Sequence, residues 1–393
     1  MIPYGRQSID DDDIRAVDRV LRSAFLTQGP EGPLFESAVA KACGAKHAVA
    51  VNSATSALHI ACLALELGPG DLLWTTPNSF VASANVALLC GAEVDFVDID
   101  PATWNMCPVR LEEKLTKAAS AGRLPKIVMP VHFAGEPCDM PVIGELAQRF
   151  GFLVIEDASH AIGASCSGAP NGRCDHSAIT VFSFHPVKVV TSAEGGVATT
   201  QDPLLASAMQ MYRTHGITRD DALMQGEIDG PWSYQQQLLG LNYRMTELQA
   251  ALGRSQMAKL DRFIARRHEL ARRYEEAFAA LPVLTQARST RHHSALHLFP
   301  IVLGPATDTQ QRAGLRKRTF VALRDAGIGV NVHYIPIHTQ PYYRKLGFKH
   351  GDFPNAESYY AGAISLPLFP ALTDAEQDFV IDQVRHSVAD LAA

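Results

Sequence analysis

The segment VFSFHPVKVVTSAEGG, residues 181–196, carries a lysine where an apolar strand-like run should be ending. Lys188 is flanked by Val187, Val189 and Val190. Desolvation disfavours an ammonium, so a lysine in such surroundings is partly neutral near pH 7 and can condense with an aldehyde. A stem lying on apolar surface with its head in water fits the same residues. Asp157 closes the apolar run FLVIED and is followed by the small residues Ala158 and Ser159. A carboxylate there can ligate a metal, cap a helix or bind a protonated ring nitrogen. NSATSAL, residues 52–58, follows a strand-like run and opens a helix. Free helix N–H groups, the helix dipole and hydroxyls at Ser53, Thr55 and Ser56 suit a phosphate, as they suit an ordinary N-cap. Ser183 and Asn242 are further donors, and Phe80 either stacks on a ring or packs into a core. Neither a P-loop nor a dinucleotide fingerprint is present.

Together these residues make one chemistry economical. A phosphate cradle, an aromatic plate, a carboxylate for a ring nitrogen and a buried lysine are what pyridoxal 5'-phosphate requires.

The elements that must position them alternate. HAVAV (47–51), DLLWTT (71–76), EVDFVDI (93–99), KIVMPVHF (126–133), FLVIED (152–157) and ITVFSF (179–184) read as buried strands, with helices between them. That pattern predicts an α/β fold with a mostly parallel sheet covered by helices. Polar residues just past strand C-termini then face a ligand, which selects residues 52–56, 77–80 and 157–160. Residues 246–281 read as one long charged helix, and the region beyond 290 as a smaller α+β unit containing a helix that stops at Gly327. The division expected is 1–250 for the large unit, with its N-terminal segment, and 251–393 for the small one.

At 47% apolar and 19% charged, with a net charge of -6, the chain is ordinary globular material without a nucleic-acid-binding tract. Its cysteines (43, 62, 90, 107, 138, 166 and 174) never form CxxC, which argues for a reducing cytoplasm and against a zinc ribbon or disulfide framework. The polar, acidic start is no signal peptide, and no apolar run is long enough for a membrane span. His292, His293 and His297 lie in a loop entering a strand, where no helical face aligns them, so no metal site is expected.

The motifs "LTQGP", "NSATSALH", "TTPNSFVASAN", "VHFAG", "EDASHAIGA", "FSFHPVK", "AEGG", "RTHGI", "LGLNYRMTELQAALG" and "VHYIPIH" run over nearly the whole chain. They resemble the DegT/DnrJ/EryC/StrS sugar aminotransferases, in particular the branch serving pseudaminic acid biosynthesis. The resemblance implies the type I pyridoxal-phosphate aminotransferase fold and a cytoplasmic homodimer with shared active sites. It implies amino transfer from L-glutamate to C4 of a UDP-linked 4-keto-6-deoxy sugar, with GDP-perosamine-type synthesis as the alternative. In these terms Lys188 is the Schiff-base lysine, Asp157 pairs with the pyridine nitrogen, and His160 lies near the ring. Phe80 stacks on it. Thr55, Ser56 and Ser183 hold the phosphate, and Asn242 reaches the partner subunit's cofactor, with Arg244 nearby. A sugar 3-dehydratase of the same fold would carry histidine in place of Lys188. A regulator without catalysis is disfavoured because all four cofactor elements are intact. The sequence departs from that branch at His338, and sugar choice is expected to lie around "TQPYYRKLGF".

Overall fold

The computed structural model describes residues 1–304 and 309–389. Segments 305–308 and 390–393 of the expected C-terminal unit lie outside the described residues.

A seven-stranded sheet forms the centre. In chain order its strands are β1 (His47–Val51), β2 (Leu72–Thr75), β3 (Glu93–Phe96), β4 (Ile127–Val128), β5 (Leu153–Asp157), β6 (Ile179–Ser183) and β7 (Gly196–Thr200). Their spatial order is β1-β7-β6-β5-β4-β2-β3. All pairings are parallel except those of β7, which is antiparallel to both neighbours. Six strands therefore end at one edge, and β7 begins there.

The sequence reading did not find β7. GVATT is short and begins on the second glycine of a pair, so it reads locally as a chain leaving a turn. Burial identifies it as a strand, since all five of its residues are buried. The strand expected over 126–133 is regular only at Ile127–Val128. Pro130 offers no N–H to a ladder, and pairing resumes in an isolated bridge between Val131 and Asp157.

Both faces of the sheet are covered, which explains the uninterrupted apolar strands. Val49, Val51, Val181 and Ala198 pack with Leu58 and Ile60 of helix Ala54–Ala64 on one face. Ala50, Phe182 and Val197 pack with Phe35 and Ile264 on the other.

The helix expected over 246–281 is two helices, Glu247–Met257 and Leu260–Phe278. At the break, Lys259 is nearly buried and its ammonium sits on Asp10 and Asp13 near the start of helix Asp11–Leu21. A continuous helix would carry that charge out of register with its partners. The second helix packs on an antiparallel sheet made from Val283–Thr285, Phe299–Leu303 and Ala363–Leu366, together with helices Thr309–Asp325 and Asp374–Ala389. Arg267 of that helix is fully buried. Its Nη1 donates to the carbonyls of Leu296, His297 and Leu368, at 3.1, 3.0 and 2.8 Å. The chain start joins this region too, with Ile2–Pro3 pairing in parallel with Ile328–Gly329.

Gly196 sits where β7 meets the start of helix Ala54–Ala64. A Cβ there would lie 2.4 Å from the Ser53 carbonyl oxygen and 2.5 Å from the Ala54 nitrogen, both rigid backbone atoms. Gly196→Ala is expected to lower unfolding stability by about 1–3 kcal/mol through overpacking. Thermal and denaturant unfolding of the purified variant measure this.

Candidate active site

A cavity of about 530 Å³ opens over the strand C-termini. β1 delivers Asn52 and Ser53, and Ser53 caps helix Ala54–Ala64 by accepting from the Ser56 N–H at 3.1 Å. Thr55 lies on the cavity wall at the first helical turn. The close approach of β7 through Gly196 holds this helix start against the sheet. β6 delivers Ser183 to the same wall.

β5 delivers Asp157, which is 4% exposed. Its Oδ2 accepts from the Ser83 hydroxyl at 2.7 Å and its Oδ1 from the Ser159 N–H at 3.1 Å. These two donors offset the desolvation of the buried carboxylate. Ser83 also bonds Ser79 at 2.7 Å, which ties the loop after β2 to the same carboxylate. That loop presents Phe80, whose ring is 59% exposed and lines the cavity instead of packing in the core.

Lys188 follows β6 in a loop folded back on itself, with its N–H donating to the His185 carbonyl at 2.9 Å. Val189 and Val190 are buried beside it. Burial draws the ammonium from 10.5 down to about 8, against the opposing pull of the Asp157 carboxylate.

His160 lies under the same cavity. Its Nδ1 accepts from the Ala134 N–H at 3.2 Å, so Nε2 carries the proton and donates to the Tyr334 hydroxyl oxygen at 3.0 Å. Burial lowers its pKa well below the ordinary value, reinforced by Lys188 and His333. His333 is drawn down to about 3 by burial and then by Lys188. Both imidazoles are neutral near pH 7.

The structure thus brings together Thr55, Phe80, Asp157, His160, Ser183 and Lys188. It places Ser56 off the wall, with its hydroxyl donating to Asn52 Oδ1 at 2.6 Å, and Ser53 stands on the wall in its place. Asn242 is exposed and, like Arg244, lies outside this cavity wall. The three histidines considered for a metal lie in different surroundings. His292 pairs with Glu136, His293 stacks on His268, and His297 packs 4.5 Å from His160 between ring centroids. Among the described residues no cluster of three or more His, Cys, Asp or Glu side chains is arranged to hold a metal. Sequence reasoning missed the distal wall, namely Tyr4, Asn331, His333 and Tyr334. The motif VHYIPIH marked two of these residues, but nothing local assigns them a place. His338 of that motif is fully buried on Glu357 Oε1 at 2.8 Å and does not line the cavity.

These residues fit pyridoxal 5'-phosphate. A hydroxyl-lined helix N-terminus, a donor-supplied buried carboxylate, an exposed ring and a lysine of lowered basicity surround one cavity. Fold and site define an α/β protein built around that cofactor.

Comparison with known proteins gives the family. A model of the DegT/DnrJ/EryC1/StrS aminotransferase family matches residues 7–385. The spore coat polysaccharide biosynthesis protein SpsC of Bacillus subtilis (strain 168) is 39% identical over 391 residues, spanning 98% of this chain and 97% of SpsC. Helicobacter pylori PseC, an aminotransferase involved in the biosynthesis of pseudoaminic acid, is similar with a TM-score of 0.89 at 30% identity over 99% of each chain. Spr1654 of Streptococcus pneumoniae, described as a sugar aminotransferase and solved in its PMP form, has a TM-score of 0.90 at 29% identity over 100% of each chain. The chain belongs to the DegT/DnrJ/EryC1/StrS family of sugar aminotransferases, whose cofactor is pyridoxal 5'-phosphate. Among the described residues no helix is long and apolar enough to cross a membrane.

The lysine sets a pH dependence. Burial penalises its charged form, so its nucleophilic fraction grows as pH rises through about 8. The rate at which the cofactor-free protein takes up pyridoxal phosphate, followed by absorbance, should rise between roughly pH 7 and 9 and then level off. A midpoint at the ordinary lysine value would contradict this assignment.

Proposed function

We propose that this protein transfers the amino group of L-glutamate to C4 of a nucleotide-linked 4-keto-6-deoxy sugar. The favoured acceptor is UDP-2-acetamido-2,6-dideoxy-β-L-arabino-hex-4-ulose, which places the protein in pseudaminic acid biosynthesis. The observation that carries the reaction type is Lys188, of lowered basicity, in one cavity with the buried Asp157. What supports the acceptor is the likeness to PseC over the full chain. The kinship with SpsC supports a sugar destined for a polysaccharide.

In this reading Asp157 holds a proton on the ring nitrogen of pyridoxal phosphate. Phe80 would cover the ring and exclude water from it, and His160, fixed by Tyr334, would lie beside it. Ser53, Thr55, Ser183 and the N–H groups of the first helical turn hold the phosphate, and Ser56 braces that turn through Asn52. When bound, the cofactor supplies an electron sink that acidifies the proton at the donor's Cα. The Lys188 amine would carry that proton from the donor's Cα to C4' of the cofactor, acting as base and then as acid. Asn242 is exposed and outside its own subunit's cavity, which suits a contact with the partner subunit's phosphate in a cytoplasmic homodimer. The large unit, residues 1–250, then carries the cofactor and contributes Tyr4 to the distal wall, and the small unit, 251–393, adds the rest of that wall.

Lys188→Ala should lower turnover by at least about 10³-fold, the scale of a lost general base, while still binding pyridoxal phosphate. Near-normal activity in that variant would overturn the reading. Product mass from a panel of UDP-, GDP- and dTDP-linked 4-keto-6-deoxy sugars with glutamate tests the acceptor. Amination of the UDP sugar is expected, and amination of a GDP sugar alone would replace it with perosamine-type synthesis.

A further inference from the structure

Away from the cofactor cavity, three side chains form a relay that the aminotransferase chemistry does not use. Cys166 and His292 face each other as a cross-strand pair, where Ser165–Cys166 runs antiparallel to His292–His293. Cys166 Sγ lies 3.5 Å from His292 Nε2. His292 Nδ1 lies 2.9 Å from Glu136 Oε1, which also accepts from the Ser289 N–H at 3.1 Å. Glu136 is a carboxylate, so Nδ1 carries the proton and donates. Nε2 then faces the thiol sulfur, where it shares the thiol proton. A nucleophile, a base and a carboxylate orienting that base are thus in sequence.

Two further observations point outward from this relay. Cys166 lines a second cavity, of about 230 Å³, shared with Asn171, Arg173 and His176. Asn171, one of the residues around this cavity, is 5% exposed and its Nδ2 has no hydrogen-bond partner. Burial opposes a charge on His292, but its contacts with Cys166 and then Glu136 outweigh this and carry it up to about 9.

The other cysteines lack this arrangement. Cys43, Cys62 and Cys138 are buried. Burial pushes the Cys174 thiol up to about 11. Contact with Cys62, then His59, draws the Cys90 thiol down to about 6 against burial, although Cys90 caps the C-terminal end of helix Ala82–Leu89, where the dipole opposes an anion. His59 Nδ1 is engaged by the Tyr243 hydroxyl at 3.1 Å, not by a carboxylate.

We propose that Cys166, activated by His292 and Glu136, is a thiol modification site that exchanges with low-molecular-weight disulfides entering the second cavity. The Cys166 proton passes to His292 Nε2. The thiolate attacks one sulfur of the disulfide, its S–S bond breaks, and a new S–S bond joins Cys166 to that half. The departing thiolate takes the proton from His292. The sum is one protein thiol and one disulfide giving one mixed disulfide and one free thiol.

The holoenzyme is incubated with oxidised glutathione, quenched at intervals and digested, and mass spectrometry follows all the cysteines. Cys166 is expected to gain the adduct first, at least about 10-fold faster than Cys90 or Cys107. His292→Gln should slow modification of Cys166 by about 10-fold or more, and Glu136→Gln should slow it in the same direction. Retained cofactor absorbance and transamination show that the variants are folded. Earlier modification of another cysteine, or an unchanged Cys166 rate in a folded His292→Gln protein, would overturn the proposal. Should both variants fail to fold, the order of modification in the unaltered enzyme still decides it.

Discussion

Much of the active site hangs on the burial of one charge. Asp157 is taken almost wholly out of water at the end of β5, a cost that only dense hydrogen bonding can offset. Two donors offset it, and each constrains something else. The Ser159 N–H fixes the turn that carries His160. The Ser83 hydroxyl fixes the start of helix Ala82–Leu89 and, through Ser79, the loop that presents Phe80. The carboxylate, the aromatic ring and the imidazole are therefore set by one local network instead of three independent loops.

A second constraint comes from the sheet. Six strands ending on one edge bring Ser53, Phe80, Asp157 and Ser183 together, as open parallel sheets do. The reversed strand β7 closes the gap between β1 and β6, and Gly196 lets it do so without displacing the helix start. Apart from Tyr4, the far side of the cavity comes from late in the chain. Tyr334 reaches His160, and Arg267 holds the 296–297 loop to the carbonyl of Leu368. Because His160 and His333 are kept neutral by burial, Lys188 is not flanked by charged imidazoles.

Legibility in the sequence followed range. Lys188 and Asp157 were visible because a charged residue inside an apolar run conflicts with its neighbours, and such conflicts mark sites. Phe80 was visible only as a choice between ring stacking and core, which its exposure resolved toward the cavity. Neighbouring hydroxyls on a helix start are equivalent in sequence, so Ser53 and Ser56 could not be told apart there. Only the cap geometry decides that Ser53 faces the cavity and Ser56 faces Asn52. The break at Lys259 was invisible because Asp10 and Asp13, its partners, lie some two hundred and fifty residues earlier.

By itself the sequence determined the alternation of strands and helices, the strand ends that carry chemistry and the family motifs. These depend on hydrophobic period and on residues close along the chain. Only the tertiary structure decided that GVATT is an antiparallel strand, that Tyr334 completes the His160 hydrogen bonds, and that Cys166 faces His292 with Glu136 behind it. Such pairings join segments tens to hundreds of residues apart, and the burial that fixes them arises only when the chain is packed.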